Sequence, residues 1–293
     1  MRNFLEYIPF IAVATAVRAL PRRLALAAGG RLGRLVRHLQ TGRVHIASEN
    51  LRHAFPEMAE DEIRATISAM FTCLGESFVD MLRLDRYRGR KDLDRYFEID
   101  GQEHIDAALK LGRGCIILTG HVGFWEAGTF FLPQLGYTTG VVAKPIRNPL
   151  VDRYFQRMRT AAGSYIINSR KGARGILKAL QKNHCVCLLL DQHIKGPGSV
   201  VAPFFGRPTH TTTIITQMAA RYQVPIVPAF VYRQPDQSYR CSFQPMRLLA
   251  DDLSETGIRD QTALLNKLTE DGIRQAVPQW FWLHRRWRRC CEQ

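Results

Sequence analysis

The stretch TGHVGFWEAG, residues 119–128, sets a histidine and a glutamate five positions apart. An imidazole with an ordinary pKa near 6.5 can take a proton at neutral pH. A carboxylate beside it can hold one ring nitrogen and leave the other free as the base. The chain has 9 histidines and 26 acidic residues among 293. Chance therefore supplies about one such spacing, and His121–Glu126 is the one present. The spacing decides nothing by itself. On one continuous helix, five positions turn about 500° and leave the side chains about 140° apart. The two meet only if His121 lies in the turn after a strand and Glu126 on the first turn of the next helix. Gly120 and Gly123 loosen that turn. Such a site falls at the carboxyl end of a strand, where open α/β sheets bind ligands, and Phe124 and Trp125 wall it.

Other segments offer partners. In FFGRPTHTTT (204–213), Gly206, Arg207 and four threonines read as a loop before a helix. Backbone amides at that helix start, with Arg207 nearby, suit a phosphate or another anion; the plainer reading is a threonine cap cluster. In AKPIRNPLVDRYFQRMR (143–159), Arg153, Arg157 and Arg159 share a helix, as a solvated face or an anion clamp. LLLDQH (188–193) puts Asp191 and Gln192 at a strand end, to orient an arginine or simply to form a turn. In VPQWFWLHRRWRRCC (277–291), tryptophans and arginines interleave, which suits a membrane interface or a nucleic acid; His284 there reads as structural. No dinucleotide fingerprint, no G-x-S-x-G and no paired C-x-x-C occurs, so neither a serine nucleophile nor a metal is expected.

Strand–helix alternation has to position these groups. GCIILTG (114–120), CVCLLLD (185–191) and VPIVPAFVYR (224–233) read as buried strands. Residues 149–162, 172–183, 211–223 and about 259–276 read as helices. This order predicts an α/β fold with a central mixed, largely parallel sheet flanked by helices. Upstream, Ile63, Ile67, Met70, Phe71, Leu74, Phe78, Met81 and Leu82 form one apolar stripe, a helix over 59–85 that starts on acidic residues. Residues 41–293 read as a single domain, helical to about 95, after a membrane-associating helical region over 1–40.

Charge and the N-terminus give the setting. A net charge of +15 favours an acidic partner: nucleic acid, an anionic membrane surface or an acidic carrier protein. The charge-free run Tyr7–Val17 is shorter than the about 20 apolar residues a spanning helix needs. Arginines follow it at 18, 22, 23, 31, 34 and 37, the reverse of a secretory signal. The expectation is a helix lying in the membrane interface, with a single-pass anchor extended through Leu20 or a buried core helix as alternatives. The seven cysteines, several in apolar runs, fit a reducing compartment.

Taken in order, GHVGFWE, KPIRNPLVDRYFQRMR, LLLDQ, VAPFFGRPTHTTT, VPIVPAF and WFWLHRRWR resemble the bacterial lipid A biosynthesis acyltransferases, and ASENLRHAFPEM is similar too. The resemblance runs from about residue 40 to 289. It implies that His121 takes a proton from an acceptor hydroxyl while Glu126 orients and charge-stabilises it, and that the hydroxyl attacks the thioester of an acyl carrier. It places the family's functional arginine on Arg159 and its strand-end aspartate on Asp191, each binding substrate or bracing the site. It implies an acyl carrier protein or acyl-CoA donor, no cofactor or metal, a glycolipid acceptor, no nucleic acid, and anchoring at the cytoplasmic face of the inner membrane. FFGRP also occurs in relatives that acylate other glycolipids, which leaves the acceptor open between a lipid A precursor, another glycolipid and a lysophospholipid.

Overall fold

The computed structural model describes residues 2–169 and 172–288; Arg289, Cys290 and Cys291 of the tail motif lie outside them. Four helices come first, α1 (Arg2–Ala19), α2 (Arg22–Leu39), α3 (Thr41–Ala54) and α4 (Glu60–Met81), then α5 (Gly89–Tyr96). The alternating part follows: β1 (Phe97–Asp100), α6 (Gln102–Leu109), β2 (Cys115–Thr119), α7 (Gly128–Gln134), β3 (Thr139–Ala143), α8 (Pro149–Thr160), β4 (Tyr165–Asn168), α9 (Gly172–Leu180) and β5 (Cys185–Leu189). The hairpin β6 (Ser199–Phe204) and β7 (Arg207–Thr212) precedes α10 (Ile214–Tyr222), β8 (Ile226–Arg233), β9 (Tyr239–Phe243) and α11 (Glu255–Arg274).

One sheet runs β1-β9-β8-β2-β5-β3-β4, parallel at every junction except β8–β9. The mixed, largely parallel sheet expected from the sequence is therefore present. Its central strands carry continuous apolar runs because helices cover both faces; Cys115 to Leu118 and Cys185 to Leu188 are buried throughout. The thiols of Cys73, Cys115, Cys185, Cys187 and Cys241 are free and buried, and Cys115 lies directly opposite Cys185 in the ladder.

β2 and β5 matter most for the site. Their parallel register pairs Cys115 with Cys185 and continues to Thr119 with Leu189. Continued past both strand ends, it sets the segment holding His121 beside the segment holding Asp191.

α4 carries the predicted stripe, with Ile63, Ile67, Met70 and Phe71 buried. Phe78 departs from it and stays 47% exposed, for a reason that the site supplies below. α2 lies against α4 through glycines. A Cβ on Gly33 would stand 2.0 Å from the Phe71 carbonyl oxygen, and one on Gly75 would stand 2.1 Å from that of Gly29. Only Cα atoms without a Cβ let the two backbones approach so closely. That contact leaves Leu24, Leu32, Leu35 and Leu39 of α2 on the outside among exposed arginines. α1 is divided: Phe4, Leu5, Ile8 and Val13 are exposed, while Phe10, Ile11 and Val17 pack on the core and Ala14 is buried in it. Among the described residues, no helix is long and apolar enough to cross a membrane.

Two expectations are corrected. FFGRPTHTTT is not a loop before a helix. Arg207–Thr212 is strand β7, paired antiparallel with β6, and Phe205–Gly206 is its two-residue turn with both φ angles positive. Thr209 and Thr211 are buried between less buried neighbours, the period of two of a strand. Reading polarity as loop hid that period. The interleaved tail is also misread as an interface: Trp280, Trp282 and Arg286 are buried. The Arg286 guanidinium lies over the Phe204 ring and donates to the His210 carbonyl and the Thr211 hydroxyl, both at 2.8 Å.

Candidate active site

His121 follows β2 by two residues and Asp191 follows β5 by two. The shared register therefore delivers the imidazole to the carboxylate. His121 Nδ1 lies 2.9 Å from Asp191 Oδ1, and the His121 backbone N–H donates to Asp191 Oδ2 at 2.9 Å. The Trp280 indole N–H donates to the same Oδ2 at 2.7 Å. Asp191 is thus buried with all its partners in place. Burial pushes its pKa up, but His121 and Trp280 outweigh burial and hold it at about 2. Burial pushes His121 down; attraction to Asp191, the hydrogen bond and the more distant Glu126 outweigh it and set the imidazole above its ordinary range.

Gly123 closes the turn after His121. Its φ is +56°, and a Cβ there would meet the Val231 carbonyl oxygen at 2.0 Å. The turn is then stapled from two sides. Gly123 N–H donates to the Gln279 carbonyl, the Ser77 hydroxyl donates to the Gly123 carbonyl, and Phe281 N–H donates to the His121 carbonyl. The Trp125 ring stands edge-on to the imidazole, with centroids 5.0 Å apart.

Glu126 sits in the short 3₁₀ turn Trp125–Ala127 that runs into α7, so the strand–turn–helix placement holds. Its contact does not match the sequence reading. Asp191, not Glu126, takes the imidazole nitrogen, because the strand register has already filled that position. Glu126 instead accepts a two-point bond from Arg159 of α8, with Arg159 Nε at 2.9 Å and Nη2 at 2.6 Å. Each partner is only 15% exposed. Burial would lower the guanidinium pKa, but the carboxylate more than restores it. Of the three arginines read on this helix, Arg153 and Arg157 are exposed and Arg159 alone enters this pair.

His121, Glu126 and Arg159 form the polar mouth of a cavity of about 200 Å³ that continues between the sheet and α7, past Phe131, Leu132, Val141 and Cys187. A second, more apolar cavity of about 260 Å³ lies on the far side of Glu126 and Arg159, against Phe78, Met81 and Phe155. Facing this space is what leaves Phe78 out of the helix packing. Gly206 and Arg207 are absent from both linings. They sit at the hairpin tip, and residues 208–213, five of them in β7, separate Arg207 from the α10 start, roughly 20 Å of extended chain. The anion site expected at that helix start with Arg207 is therefore not assembled. Trp280 is the residue that sequence reasoning missed. Its signal is the indole N–H, which needs a buried acceptor once the ring is buried, but among the three tryptophans of 277–291 nothing in the sequence singles out Trp280. Among the described residues, no group of three His, Cys, Asp or Glu side chains is placed to hold a metal.

An imidazole braced by a carboxylate at parallel strand ends, beside an apolar cavity, puts a proton-accepting group next to a space that can take an apolar chain. The profile of the family described as "Bacterial lipid A biosynthesis acyltransferase" matches residues 2–289, and the chain belongs to that family. It is an acyltransferase. It is similar to the lipid A biosynthesis lauroyltransferase of Escherichia coli (strain K12), 31% identical over 288 residues, covering 95% of this chain and 90% of that protein. Similarity to the lipid A biosynthesis palmitoleoyltransferase of the same organism is 27% over 273 residues, 92% of this chain and 86% of that protein. A phosphatidylinositol mannoside acyltransferase of Mycobacterium tuberculosis (strain ATCC 25618 / H37Rv) matches 53% of this chain and 50% of its own length at 27% identity. The solved 1-acyl-sn-glycerophosphate (LPA) acyltransferase PlsC from Thermotoga maritima overlaps 87% of this chain and 99% of its own, at TM-score 0.40 and 11% identity.

Proposed function

We propose that this chain moves a fatty acyl group from the thioester of acyl carrier protein to a hydroxyl of a lipid A precursor, at the cytoplasmic face of the inner membrane. The observation that carries the mechanism is the Nδ1 contact of His121 with Asp191. It keeps one ring proton on Nδ1 and leaves Nε2 with the lone pair of a base. Nε2 accepts the acceptor hydroxyl's proton, the oxygen attacks the thioester carbonyl, and the tetrahedral intermediate expels the thiolate. The imidazolium returns the proton to the departing sulfur, so no net proton is gained or lost. Glu126 fixes Arg159 at the mouth. Two of the five guanidinium N–H donors are spent on the carboxylate, and the rest serve the oxygen that becomes negative. The apolar cavity below receives the acyl chain.

The membrane setting rests on the outer faces of α1 and α2, where exposed Phe4, Leu5, Ile8, Leu32, Leu35 and Leu39 accompany Arg23, Arg31 and Arg34. Such a face suits the headgroup boundary of an anionic bilayer. The net +15 steers an acidic carrier protein toward the enzyme.

The test is an in vitro transfer assay pairing acyl carrier protein and acyl-CoA donors with a lipid A precursor, a phosphatidylinositol mannoside and a lysophospholipid. The proposal expects transfer from the carrier protein to the lipid A precursor, abolished by His121→Ala in a protein that still folds. Near-full activity of that variant sinks the mechanism; preference for another acceptor sinks the substrate assignment.

A further inference from the structure

Outside the catalytic cavity, an open groove of about 620 Å³ runs between the α2–α3 junction and the chain after Trp282. Arg43, Arg285 and Arg288 line it, and no carboxylate does. All three arginines are exposed, and among the described residues none has an acidic partner within ion-pair distance. Arg52, Arg90 and Arg240 are neutralised by carboxylates, whereas these three, like Arg23, Arg31 and Arg34 on α2, are not, and here three such arginines converge on one concave surface. The groove thus concentrates positive charge that the protein itself leaves uncompensated.

We propose that this groove binds the phosphate groups on the head of the acceptor glycolipid, an inference that rests on the functional reading above. Three features of the groove select that ligand. Guanidinium forks match phosphate oxygens in pairs. Leu39, 74% exposed, forms part of the rim and continues the outer leucine row of Leu32 and Leu35. An anion with apolar tails satisfies both faces at once, whereas an acidic carrier protein offers charge alone. The third feature is reach. Trp280 holds Asp191 and Phe281 holds the His121 carbonyl, while Arg285 lines the groove on the same segment. The five residue steps from Trp280 to Arg285 span at most about 17 Å between Cα atoms, so the groove opens close to the residue that braces Asp191, within the scale of a glycolipid head group carrying its phosphates. The segment between is preformed: Arg43 donates to the Leu283 carbonyl at 3.2 Å, and Asn50 donates to the carbonyls of Trp282 and His284 at 2.7 and 2.8 Å.

The experiment compares wild type with Arg285→Gln/Arg288→Gln, both exposed positions, and with Arg90→Gln as an exposed control outside the groove. Steady-state transfer to a bisphosphorylated lipid A precursor should show the acceptor KM raised roughly tenfold or more, a loss that even one of the two charge-assisted contacts would give. The donor KM and kcat should hold within about twofold. With a dephosphorylated acceptor, wild type and variant should agree. Binding is also read directly, by titrating the detergent-dispersed bisphosphorylated lipid into His121→Ala protein with and without the groove substitutions, so the groove is judged without turnover. Tight groove-dependent binding by an enzyme that transfers nothing to this lipid would fail the functional reading and not the groove. A raised donor KM would show the carrier protein docking there and overturn the proposal. So would unchanged acceptor binding, or an equal loss of affinity for vesicles of phosphatidylglycerol.

Discussion

Asp191→Asn isolates the brace from the base. In the native site, Oδ2 accepts from two donors, the His121 backbone N–H and the Trp280 indole, while Oδ1 faces His121 Nδ1. The asparagine has one oxygen for these two positions. Turning its NH₂ toward the backbone N–H and the indole would leave two buried donors without an acceptor, about 1–3 kcal/mol each. The oxygen therefore keeps the Oδ2 position and the NH₂ faces Nδ1. A donor opposite Nδ1 forces the ring proton onto Nε2, the atom that must accept the substrate proton. The same tautomer error in a Ser-His-Asp triad costs about 10⁴ in kcat, and a loss of that order is expected here. Removing the carboxylate also lowers the imidazole pKa, so the two enzymes are compared on the alkaline plateau of each one's pH–rate profile, where the imidazole is neutral. The readout is single-turnover acyl transfer, with ¹⁵N shifts of the His121 ring as a direct report of the tautomer. A loss smaller than about tenfold, with Nε2 still unprotonated, would refute the reasoning.

The remaining predictions follow from other contacts. Because His121 is raised above its ordinary range and must be neutral to act, wild-type kcat/KM should fall on the acid side of a pKa above 6.5; a limb below that value contradicts it. Glu126→Ala or Arg159→Ala alone strands a half-buried charge and should cost about 1–3 kcal/mol in denaturant melts, while the double variant should cost less than the sum. Gly33→Ala drives a Cβ into the Phe71 carbonyl and should destabilise by roughly 1–3 kcal/mol, with an equally stable variant arguing against the close helix contact. Peptide mapping after alkylation should find Cys115, Cys187 and Cys241 unmodified in the native protein and modified in urea, since burial pushes each thiol pKa up.

The strands around the site were readable because parallel-sheet strands are continuous apolar runs, as in CIILT and CVCLL. The helices 149–162 and 172–183 were readable from punctuation and periodicity, and end within three residues of their observed limits. The pairing inside the site was not. Which carboxylate meets His121 depends on the register of two strands seventy residues apart, and no local spacing reports that. Glu126 was correctly placed on the turn but assigned the wrong partner, because its guanidinium comes from another helix. The β6–β7 hairpin was hidden by threonines, whose buried hydroxyls find partners such as the Arg286 carbonyl and so behave as core. The tail misled for a related reason: an arginine reads as surface until a stack of carbonyls, a hydroxyl and an aromatic ring is found around it.

The ladder between β2 and β5 also sets where this chain tolerates change in length. His121 and Asp191 meet because each lies two residues past a paired strand end. Everything between them, including α7, β3, α8, β4 and α9, is a detour whose length the contact does not sense, so a residue gained in the loops before α8 or after β4 leaves the two groups facing. One residue gained between Thr119 and His121, or between Leu189 and Asp191, would shift one partner by about 3.3 Å and turn its side chain to the opposite face of the sheet. Lineages of this enzyme should therefore differ freely in loop length while keeping those two short spacers invariant.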